Sequence, residues 1–426
     1  MRVRWVDGRM EYLDFVDLQY TPREDDTVCL FRVEPAGGIS LEEAAARVGS
    51  ESSVGTWVKT LATEAGGVGD RINRISAKVF EVEGNKVKIA YPLQLFEPGN
   101  MPQILSSIAG NIFGMKAVES LRLEHVEFPP RIVESFRGPK FGVEGVREML
   151  DVEDRSLTAS VPKPKVGLTA SEFADVGYQV WSGGVDLLKD DENLTSQDFN
   201  GFKDRLTKSL RMRDKVERET GERKSYLINI TAETGEMERR AGEVADQGGE
   251  YVMIDIITVG WAALQTMREA CEDLGLAIHA HRAMHATFTR KSHGVSMLVV
   301  AEVARLVGVD QIHTGTVIGK LEASREEVLG INDFLRSPIG LRTVFPVASG
   351  GLHPGLVPEL LEILGTDIVV QLGGGIHGHP DGSEAGAKAL RQSIDAATSE
   401  VDLWEYSKDH RELAAALEQW GSTKPV

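Results

Sequence analysis

The sequence predicts an α/β protein whose C-terminal part is a closed (β/α)8 TIM barrel, preceded by a smaller α+β domain of the ferredoxin-like kind. After about residue 155, eight strand-like runs alternate with amphipathic helical stretches, which is the pattern of a parallel barrel. Six of the eight runs end in polar or glycine-rich clusters, where barrel folds place their functional side chains. A doubly wound open sheet is the competing architecture, but it usually has fewer strands and a glycine-rich first turn, which we do not find.

The eight predicted strands are residues 157–161, 185–188, 226–230, 251–257, 276–280, 311–314, 343–348 and 367–372. The helical stretches between them include residues 202–220, 236–245, 262–274, 295–307 and 384–397, which carry apolar residues at helical spacing. We therefore expect the barrel over residues 151–400, followed by a helical extension over residues 401–426 that packs on the outside.

Residues 1–150 have a different pattern, in which strands outnumber helices and do not alternate with them regularly. Strands are predicted over residues 28–33, 78–82, 86–91 and 121–128. The turn Glu83-Gly84-Asn85 joins two of them as a hairpin. Ser40, with Glu43 three residues later, predicts a capped helix start, and another helix is expected over residues 101–109. These signals predict a separate α+β domain.

The charge balance restricts the possible partners. The 426 residues include 65 acidic and 47 basic side chains, so the net charge is -18, which disfavours nucleic acid or an anionic membrane as a partner. No apolar run is long enough to span a membrane, and the N-terminus does not resemble a secretory signal. Cys29 and Cys271 lie in apolar contexts far apart in sequence, so we expect reduced thiols in a cytoplasmic protein.

The second barrel strand leads into an unusual charged stretch. Gly183-Gly184-Val185-Asp186-Leu187-Leu188-Lys189-Asp190-Asp191-Glu192-Asn193 contains a lysine followed by three consecutive carboxylates. The carboxylates repel one another unless a cation neutralises them, and hard oxygen ligands of this kind suit Mg²⁺. Lys189 is then either a counter-ion for them or is converted chemically into an oxygen ligand. A solvated charge run in a loop is the alternative interpretation.

Further clusters follow the other strands. They are Lys163-Pro164-Lys165, the histidine and arginine group from His279 through His281 and Arg282 to His285, His313 with Gly319-Lys320, Ser349-Gly350-Gly351, and Gly373-Gly374-Gly375. Each cluster has a less specific interpretation: a surface loop, a polar plug, a metal site of neutral imidazoles, or ordinary turn glycines. Their shared position at strand ends favours a single site, and the two glycine turns lie where barrels often bind phosphate through backbone amides.

The clusters together predict a locally basic pocket in an acidic protein. Its candidate cations and donors are Lys163, Lys165, Arg282, His313 and Lys320, around one Mg²⁺. Several cationic and donor side chains around one Mg²⁺ suit a substrate sugar that carries two phosphates. Removing a proton beside a carbonyl requires a metal that stabilises the enediolate and a lysine of lowered pKa, so the pocket is suited to this chemistry.

These motifs resemble the large subunit of ribulose-1,5-bisphosphate carboxylase/oxygenase (rubisco), and among its forms most closely the archaeal form III. Besides the strand-end clusters, the resemblance rests on the segments Glu51 to Trp57, Gly110 to Gly114 and His313 to Lys320, and it extends over nearly the whole chain. It implies a lyase that converts D-ribulose 1,5-bisphosphate, CO₂ and water into two molecules of 3-phosphoglycerate, with O₂ as a competing substrate. Form III is linked to AMP and nucleotide salvage as well as to carbon fixation.

The resemblance assigns the metal site and resolves the two interpretations of Lys189. In this family the corresponding lysine is carbamylated by an activating CO₂ and then binds Mg²⁺. By that analogy Lys189 carries the carbamate, and Asp191 and Glu192 are the other protein ligands. The carbamate would also take the C3 proton of the substrate.

The resemblance assigns proton transfer to further residues. Lys163 would protonate the final carbanion, with Lys165 and His281 supporting the proton transfers. Lys320 would contact the incoming carboxylate from a mobile loop whose closure excludes water.

The resemblance draws the substrate-binding residues from both domains. One phosphate site comprises Arg282, His313 and Ser349, and the other comprises Gly350, Gly351, Gly373 and Gly374 with Thr56 and Trp57. The residues that would complete the site of a neighbouring barrel are Glu51, Thr56, Trp57 and Asn111. A homodimer is therefore the smallest functional unit implied, alone or in a larger assembly of dimers, and no small subunit is expected.

Three features depart from the family pattern. Val161 stands where plant-type enzymes have a hydroxyl residue, His377 stands where we expect an aliphatic residue, and the segment from Lys320 to Ser349 is shorter than in most relatives. No metal ligand is missing, nor is the loop lysine. A carboxylase is therefore favoured over two alternatives, a rubisco-like isomerase or enolase of a phosphorylated thio-sugar and a catalytically silent phosphosugar-binding paralogue.

Overall fold

A computed structural model describes residues 5–6, 9–10, 12–55, 68–318 and 324–421. The chain divides into two compact units. The N-terminal unit comprises Met1–Arg137, Met284–Leu306 and Ile339–Leu341, and the barrel unit comprises Gly138–Ala283, Val307–Pro338 and Arg342–Val426.

The strands are β1 (Trp5–Val6), β2 (Arg9–Met10), β3 (Thr27–Pro35), β4 (Lys78–Glu83), β5 (Lys86–Tyr91), β6 (Val118–Glu127), β7 (Leu157–Ser160), β8 (Leu187–Lys189), β9 (Ser225–Asn229), β10 (Tyr251–Asp255), β11 (Ala277–His281), β12 (Gly294–Val295), β13 (Gln311–His313), β14 (Phe345–Ser349) and β15 (Val369–Leu372). The α-helices are α1 (Leu41–Glu51), α2 (Val68–Ile75), α3 (Met101–Ile108), α4 (Pro130–Val133), α5 (Gly142–Leu150), α6 (Ala170–Ser182), α7 (Phe202–Thr220), α8 (Thr234–Asp246), α9 (Ile256–Val259), α10 (Trp261–Leu274), α11 (Met297–Val307), α12 (Arg325–Arg336), α13 (Val357–Leu364), α14 (Gly374–His377), α15 (Ser383–Thr398), α16 (Leu403–Ser407) and α17 (Arg411–Trp420).

The N-terminal unit is built on a five-stranded sheet with the strand order β12-β6-β3-β5-β4. Strands β6, β3, β5 and β4 are antiparallel to their neighbours, whereas the short β12 joins β6 in parallel. Cys29, Phe31 and Val33 alternate along β3 and are fully buried, because successive side chains of a strand point to opposite faces of the sheet. The predicted α+β domain is confirmed.

The segment that enters the N-terminal unit between barrel strands β11 and β13 was not predicted to leave the barrel. It contains β12 and most of α11, the helix predicted over residues 295–307. The backbone N–H of Ser296 donates to Leu123 O at 2.9 Å, and that of Val126 donates to the buried Glu302 carboxylate at 3.0 Å. These bonds join the segment to strand β6, and such a long-range pairing leaves no signal in the local periodicity of the sequence.

The barrel unit contains eight parallel strands that close in the order β7-β8-β9-β10-β11-β13-β14-β15, with β15 pairing back to β7. All eight predicted strands are confirmed. The helix predicted over residues 202–220 is α7, and it ends where Gly221 adopts a left-handed conformation with φ 76°, which glycine accepts without strain.

An apolar core fills the barrel beneath its carboxyl end. It contains Leu157, Ala159, Leu187, Leu227, Tyr251, Ala277, Phe345, Val347 and Val369, together with Val143, Val146 and Leu150 of α5. Helix α5 therefore packs with the barrel strands, although the sequence pattern predicts a domain division at residue 150. Because the interior is filled with side chains, a ligand cannot pass through the barrel. Within the described residues, no helix has the length and apolar character needed to cross a membrane.

Candidate active site

A cavity of about 490 Å³ opens where the barrel strands end. Its lining residues all belong to the barrel unit and are Val161, Lys163, Lys189, Asp191, Glu192, His281, His313, Ser349, Gly350, Gly351, Leu352, His353, Gln371, Gly373, Gly374, Gly375 and Trp420. Lys189, His281, His313 and Ser349 are the last residues of β8, β11, β13 and β14. Parallel strands bring their carboxyl ends to one face, so the clusters that are separated in sequence meet there.

Lys189 is buried at the end of β8 with only 1% of its surface exposed. Its Nζ donates to the carbonyl oxygen of Asp190 at 2.8 Å. Burial lowers the pKa of the Lys189 amine, and the carboxylates of Glu192, Asp255 and Asp191 oppose this shift. The amine is therefore more easily deprotonated than an ordinary lysine, and a neutral amine is the form that reacts with CO₂.

Asp190, the first of the three consecutive carboxylates, is held away from the cavity. Its Oδ2 accepts from Arg205 Nη2 at 3.0 Å and from the backbone N–H of Asn229 at 2.9 Å. Its Oδ1 accepts from the Tyr226 hydroxyl at 2.5 Å. Both carboxylate oxygens are thus satisfied within the protein, which leaves Lys189, Asp191 and Glu192 on the cavity wall.

Asp191 and Glu192 present their carboxylates to the cavity. Asp191 Oδ2 lies 3.3 Å from Lys163 Nζ, and Glu192 Oε2 lies 3.6 Å from His281 Nε2. The side-chain amide of Asn229 donates to the backbone oxygen of Glu192 at 3.2 Å and fixes the turn that carries both residues.

The two lysines after β7 have different surroundings. Lys163 lines the cavity beside Asp191, and a Cβ added at Gly373 would lie 3.1 Å from Lys163 Cε, so a glycine at position 373 leaves room for the lysine. Lys165 is exposed, and its Nζ donates to Asn193 Oδ1 at 2.5 Å. Lys165 is absent from the cavity lining.

His281 is oriented by Asp255, because its Nδ1 lies 2.7 Å from Asp255 Oδ1 at the end of β10. Burial lowers the pKa of His281, the nearby Lys189 charge lowers it further, and the bond to Asp255 opposes both. The ring directs Nε2 towards Glu192 and the cavity. Burial also lowers the pKa of the adjacent Arg282 to about 10.

The turns after β14 and β15 supply backbone to the cavity wall. Gly350 and Gly351 have φ values of 110° and 76°, a region that disfavours other residues. Gly373 and Gly374 follow β15 and line the cavity with them. Ser349 Oγ is 2.8 Å from His313 Nδ1.

His377, one of the departures from the family pattern, is accommodated by hydroxyl partners. Its Nε2 lies 3.2 Å from Ser160 Oγ and its Nδ1 lies 3.0 Å from Ser383 Oγ. Burial lowers its pKa to about 4, so the ring is neutral.

Some predicted site residues fall elsewhere. Thr56, Trp57 and Lys320 lie outside the described residues. Glu51 and Asn111 belong to the N-terminal unit, where Asn111 Nδ2 donates to Glu51 Oε1 at 3.5 Å. In the described part of the chain, no group of three or more His, Cys, Asp or Glu side chains is placed to hold a metal ion.

Several contributors to the site were not predicted. Asn229 and Asp255 end β9 and β10, the two strands without a visible cluster, and each is a single polar residue after a buried apolar run. A single polar residue at the end of a strand is only a weak sequence signal of a functional site. Trp420 of α17 reaches the cavity wall and stacks on His353 with ring centroids 5.8 Å apart. Nothing local to Trp420 predicts this contact.

Comparison with known proteins places the chain among barrel enzymes of one family. The sequence profile of the ribulose bisphosphate carboxylase large chain, catalytic domain, matches residues 142–420. The profile of the N-terminal domain of the same large chain matches residues 14–132. The chain belongs to the rubisco large-chain family.

Its relatives include archaeal proteins of similar length. The ribulose bisphosphate carboxylase of Pyrococcus furiosus is 56% identical over 431 residues, covering 100% of both chains. That of Methanosarcina acetivorans is 48% identical and covers 96% of this chain and 99% of the relative. The chain is thus a rubisco of the archaeal, form III type.

Solved structures agree with this assignment. The octameric rubisco of Pyrococcus horikoshii OT3, crystallised with sulfate ion, has a TM-score of 0.93 at 55% identity, covering 98% of each chain. A dimeric archaeal rubisco from Hyperthermus butylicus has a TM-score of 0.91 at 47% identity, covering 97% of this chain and 100% of that one.

Proposed function

We propose that the barrel cavity carboxylates D-ribulose 1,5-bisphosphate with CO₂ and water to give two molecules of 3-phosphoglycerate, with O₂ as a competing substrate. The observation that carries this proposal is the buried Lys189 amine of lowered pKa, placed between cavity-facing carboxylates. An ordinary solvated charge run would leave that lysine exposed and protonated.

The donor set fits Mg²⁺ once Lys189 has reacted with CO₂. Asp191 and Glu192 supply two hard oxygen donors, and conversion of the Lys189 amine to a carbamate adds a third and removes the positive charge. Asp190 is excluded because Arg205, Tyr226 and Asn229 occupy its oxygens. When bound, the cation would stabilise negative charge that develops on the substrate oxygens.

The protein's own side chains supply proton transfer. In its carbamylated form Lys189 is the base for the C3 proton, and Lys163 is the acid for the final carbanion. His281, held by Asp255 in a fixed orientation at 2.7 Å, and Lys165 support these transfers. Lys320 is assigned to the incoming carboxylate.

The phosphates are assigned to the two sides of the cavity. Gly350, Gly351, Gly373 and Gly374 bring backbone close to the ligand, as phosphate sites in barrels commonly do. Arg282, His313 and Ser349 are assigned to the other phosphate. Thr56 and Trp57 join the glycine side from a neighbouring chain.

A homodimer is the smallest unit that would complete two sites, with Glu51 and Asn111 contributed across the interface. We place the protein in the cytoplasm, where the buried free thiols of Cys29 and Cys271 stay reduced. We place its reaction in AMP and nucleotide salvage, in keeping with the form III resemblance.

Radiolabelled CO₂ fixation tests the proposal. Purified protein with Mg²⁺, labelled bicarbonate and ribulose 1,5-bisphosphate should form acid-stable labelled 3-phosphoglycerate, and Lys189→Ala protein should not. Absence of fixation by the unmodified protein would contradict the proposal. Turnover of a phosphorylated thio-sugar without fixation would favour the isomerase alternative, and no turnover of either sugar would favour the silent paralogue.

A further inference from the structure

The N-terminal unit contains a cavity of its own, with a volume of about 510 Å³. All of its lining residues belong to that unit. Val28 and Leu30 of β3 line it and are half-buried, whereas Cys29 between them points to the opposite face of the sheet and is fully buried. A cavity of this size can hold a small organic molecule. None of the described residues that are assigned to the carboxylation reaction lines it.

The wall of this cavity combines aromatic rings with prolines. The lining includes the half-buried rings of Phe80 and Phe128 together with Pro22, Pro129 and Pro130. Rings of this kind pack against a flat apolar body, and their faces attract a nearby cation. The wall therefore suits an organic ligand that has an apolar body.

Two of the three cationic side chains at the cavity are engaged by carboxylates that do not line it. Lys88 Nζ donates to Glu81 Oε2 at 2.9 Å, and His125 Nδ1 bonds the buried carboxylate of Glu302. The third cationic side chain, Arg23, is exposed. The cavity therefore offers little uncompensated positive charge to an anionic ligand.

Three carboxylates also line the cavity, and they belong to Glu24, Asp26 and Glu127. They outnumber Arg23, so the remaining local charge is negative and favours a cationic ligand. A metal ion is not indicated, because the described residues contain no group of three or more His, Cys, Asp or Glu side chains placed to hold one. The charge balance therefore points to an organic cation.

Asp26 is the most buried of these carboxylates, with 4% of its surface exposed. Its Oδ2 accepts from the Tyr20 hydroxyl at 2.6 Å and from the backbone N–H of Arg23 at 2.9 Å. Its Oδ1 is buried and has no hydrogen-bond partner among the described residues. An unsatisfied buried acceptor is unfavourable, so a ligand that brings an N–H group to Oδ1 gains a charge-assisted hydrogen bond.

We propose that this cavity binds a primary amine carried on an aromatic body. The ammonium donates to Asp26 Oδ1 and lies near the rings of Phe80 and Phe128, while the aromatic body packs against the prolines. Glu24 and Glu127 add negative potential that attracts the cation. The proposed site is separate from the carboxylation chemistry and does not depend on it.

Three ligands of similar shape test the chemistry of the proposed site. Phenethylamine is a cation with N–H donors, its N-trimethyl analogue is a cation without them, and phenethyl alcohol has the same body without the charge. We expect ligand-observed saturation-transfer NMR on the purified protein to show saturable binding of phenethylamine. Its affinity should exceed that of either other ligand by about 10-fold or more. Equal affinities for the two cations would overturn the proposed hydrogen bond to Asp26.

Three variants locate the binding site. Asp26→Asn keeps an oxygen that can accept from Tyr20 and Arg23 but removes the negative charge, and the affinity for phenethylamine should fall about 10-fold or more. Asp25→Asn is the matched control, because it makes the same change at a residue that does not line the cavity, and its affinity should stay within about 2-fold of the unmodified protein. Phe80→Leu removes one ring and should weaken binding about 3-fold.

Each outcome supports or overturns the amine site. Absence of phenethylamine binding, or equal binding by Asp26→Asn and the unmodified protein, would show that the proposal is wrong. A loss in Asp25→Asn as large as that in Asp26→Asn would show a general attraction to the acidic surface instead of a site. If no ligand binds but Asp26→Asn changes the oligomeric state in light scattering, the cavity is an interface between copies of the chain and the amine site is wrong.

Two features keep this experiment decisive. Circular dichroism shows whether each variant folds, and if Asp26→Asn does not fold, the three ligands and Phe80→Leu still decide the outcome. CO₂ fixation is not measured in any of these experiments, so failure of the proposed carboxylase function would leave the amine site untouched, and failure of the amine site would leave the carboxylase function untouched.

Discussion

The Arg205 guanidinium holds the Asp190 carboxylate out of the cavity, with Nη2 3.0 Å from Oδ2 and both side chains fully buried. Tyr226 donates to the other carboxylate oxygen at 2.5 Å. Because Asp190 lies between Lys189 and Asp191 in sequence, fixing its side chain fixes the backbone that presents both neighbours. The ion pair thus orients the neighbouring proposed metal ligands, although Asp190 is not a proposed ligand itself.

Removal of one bond to Asp190 should weaken cation binding. Tyr226→Phe keeps the ring but deletes the hydroxyl, and partners of ligand-bearing residues typically affect metal affinity by 10-fold or more. We expect the Mg²⁺ affinity of CO₂-treated protein, measured by titration calorimetry, to fall about 10-fold. Tyr178→Phe is the matched control, because the Tyr178 hydroxyl bonds only Glu219 at the surface in the described structure. Equal affinities in the two variants would refute the role of Tyr226.

Activation by CO₂ should become faster as pH rises. Only the neutral Lys189 amine reacts with CO₂, and burial lowers its pKa, so the neutral fraction grows with pH and levels off below the ordinary lysine value of about 10.4. The check is the initial activation rate at constant dissolved CO₂, sampled by dilution into substrate. An activation rate that does not rise with pH below the ordinary lysine pKa would contradict a neutral-amine mechanism.

Two inactive variants should restore activity when they share a dimer. Lys189→Ala damages the barrel contribution and Glu51→Ala damages the contribution proposed to cross the interface. In a mixed dimer, one of the two sites then has both parts intact, so about half the activity of a normal dimer should return. Differently tagged chains, co-expressed and purified through both tags, give the mixed dimer for assay. Failure to recover activity in a properly assembled mixed dimer would show that Glu51 acts within its own chain.

The barrel floor should be sensitive to loss of one buried carboxylate. Asp186 is 1% exposed and accepts from Arg155 Nη1 and Nη2 at 2.7 Å each, so Asp186→Asn would leave a partly buried arginine without its counter-ion. We expect the free energy of unfolding, from denaturant titration, to fall by about 3–5 kcal/mol. Asp367→Asn removes a pair to Arg147 in which the aspartate is 50% exposed, and it should cost less than about 1 kcal/mol. Similar losses of unfolding free energy in the two variants would show that burial of the aspartate does not determine the cost of losing its ion pair.

The barrel could be predicted from the sequence because each strand is a short apolar run between helices with a clear apolar periodicity. It was also sufficient for the main clusters of the site, because parallel strands bring their ends together whatever their separation in sequence. Lys163, Lys189, Asp191 and Glu192 therefore meet in the cavity as expected.

The contributions that were missed depend on long-range packing. Segment 284–306 joins the N-terminal sheet through β12, although its helix has the periodicity of a barrel helix. Trp420 reaches the cavity from the last helix, and Asp190 is excluded from it only because Arg205, 15 residues later, faces it in three dimensions. Such contacts leave no pattern in the local sequence.

The most direct test of the account is whether Lys189 binds the activating CO₂. Protein equilibrated with ¹³CO₂ and Mg²⁺ should give a single carbamate resonance in its ¹³C NMR spectrum. The resonance should vanish in Lys189→Ala and persist in Lys163→Ala, whose missing amine also lines the cavity. A carbamate resonance that survives in Lys189→Ala, or is absent from the unmodified protein, would contradict the central claim.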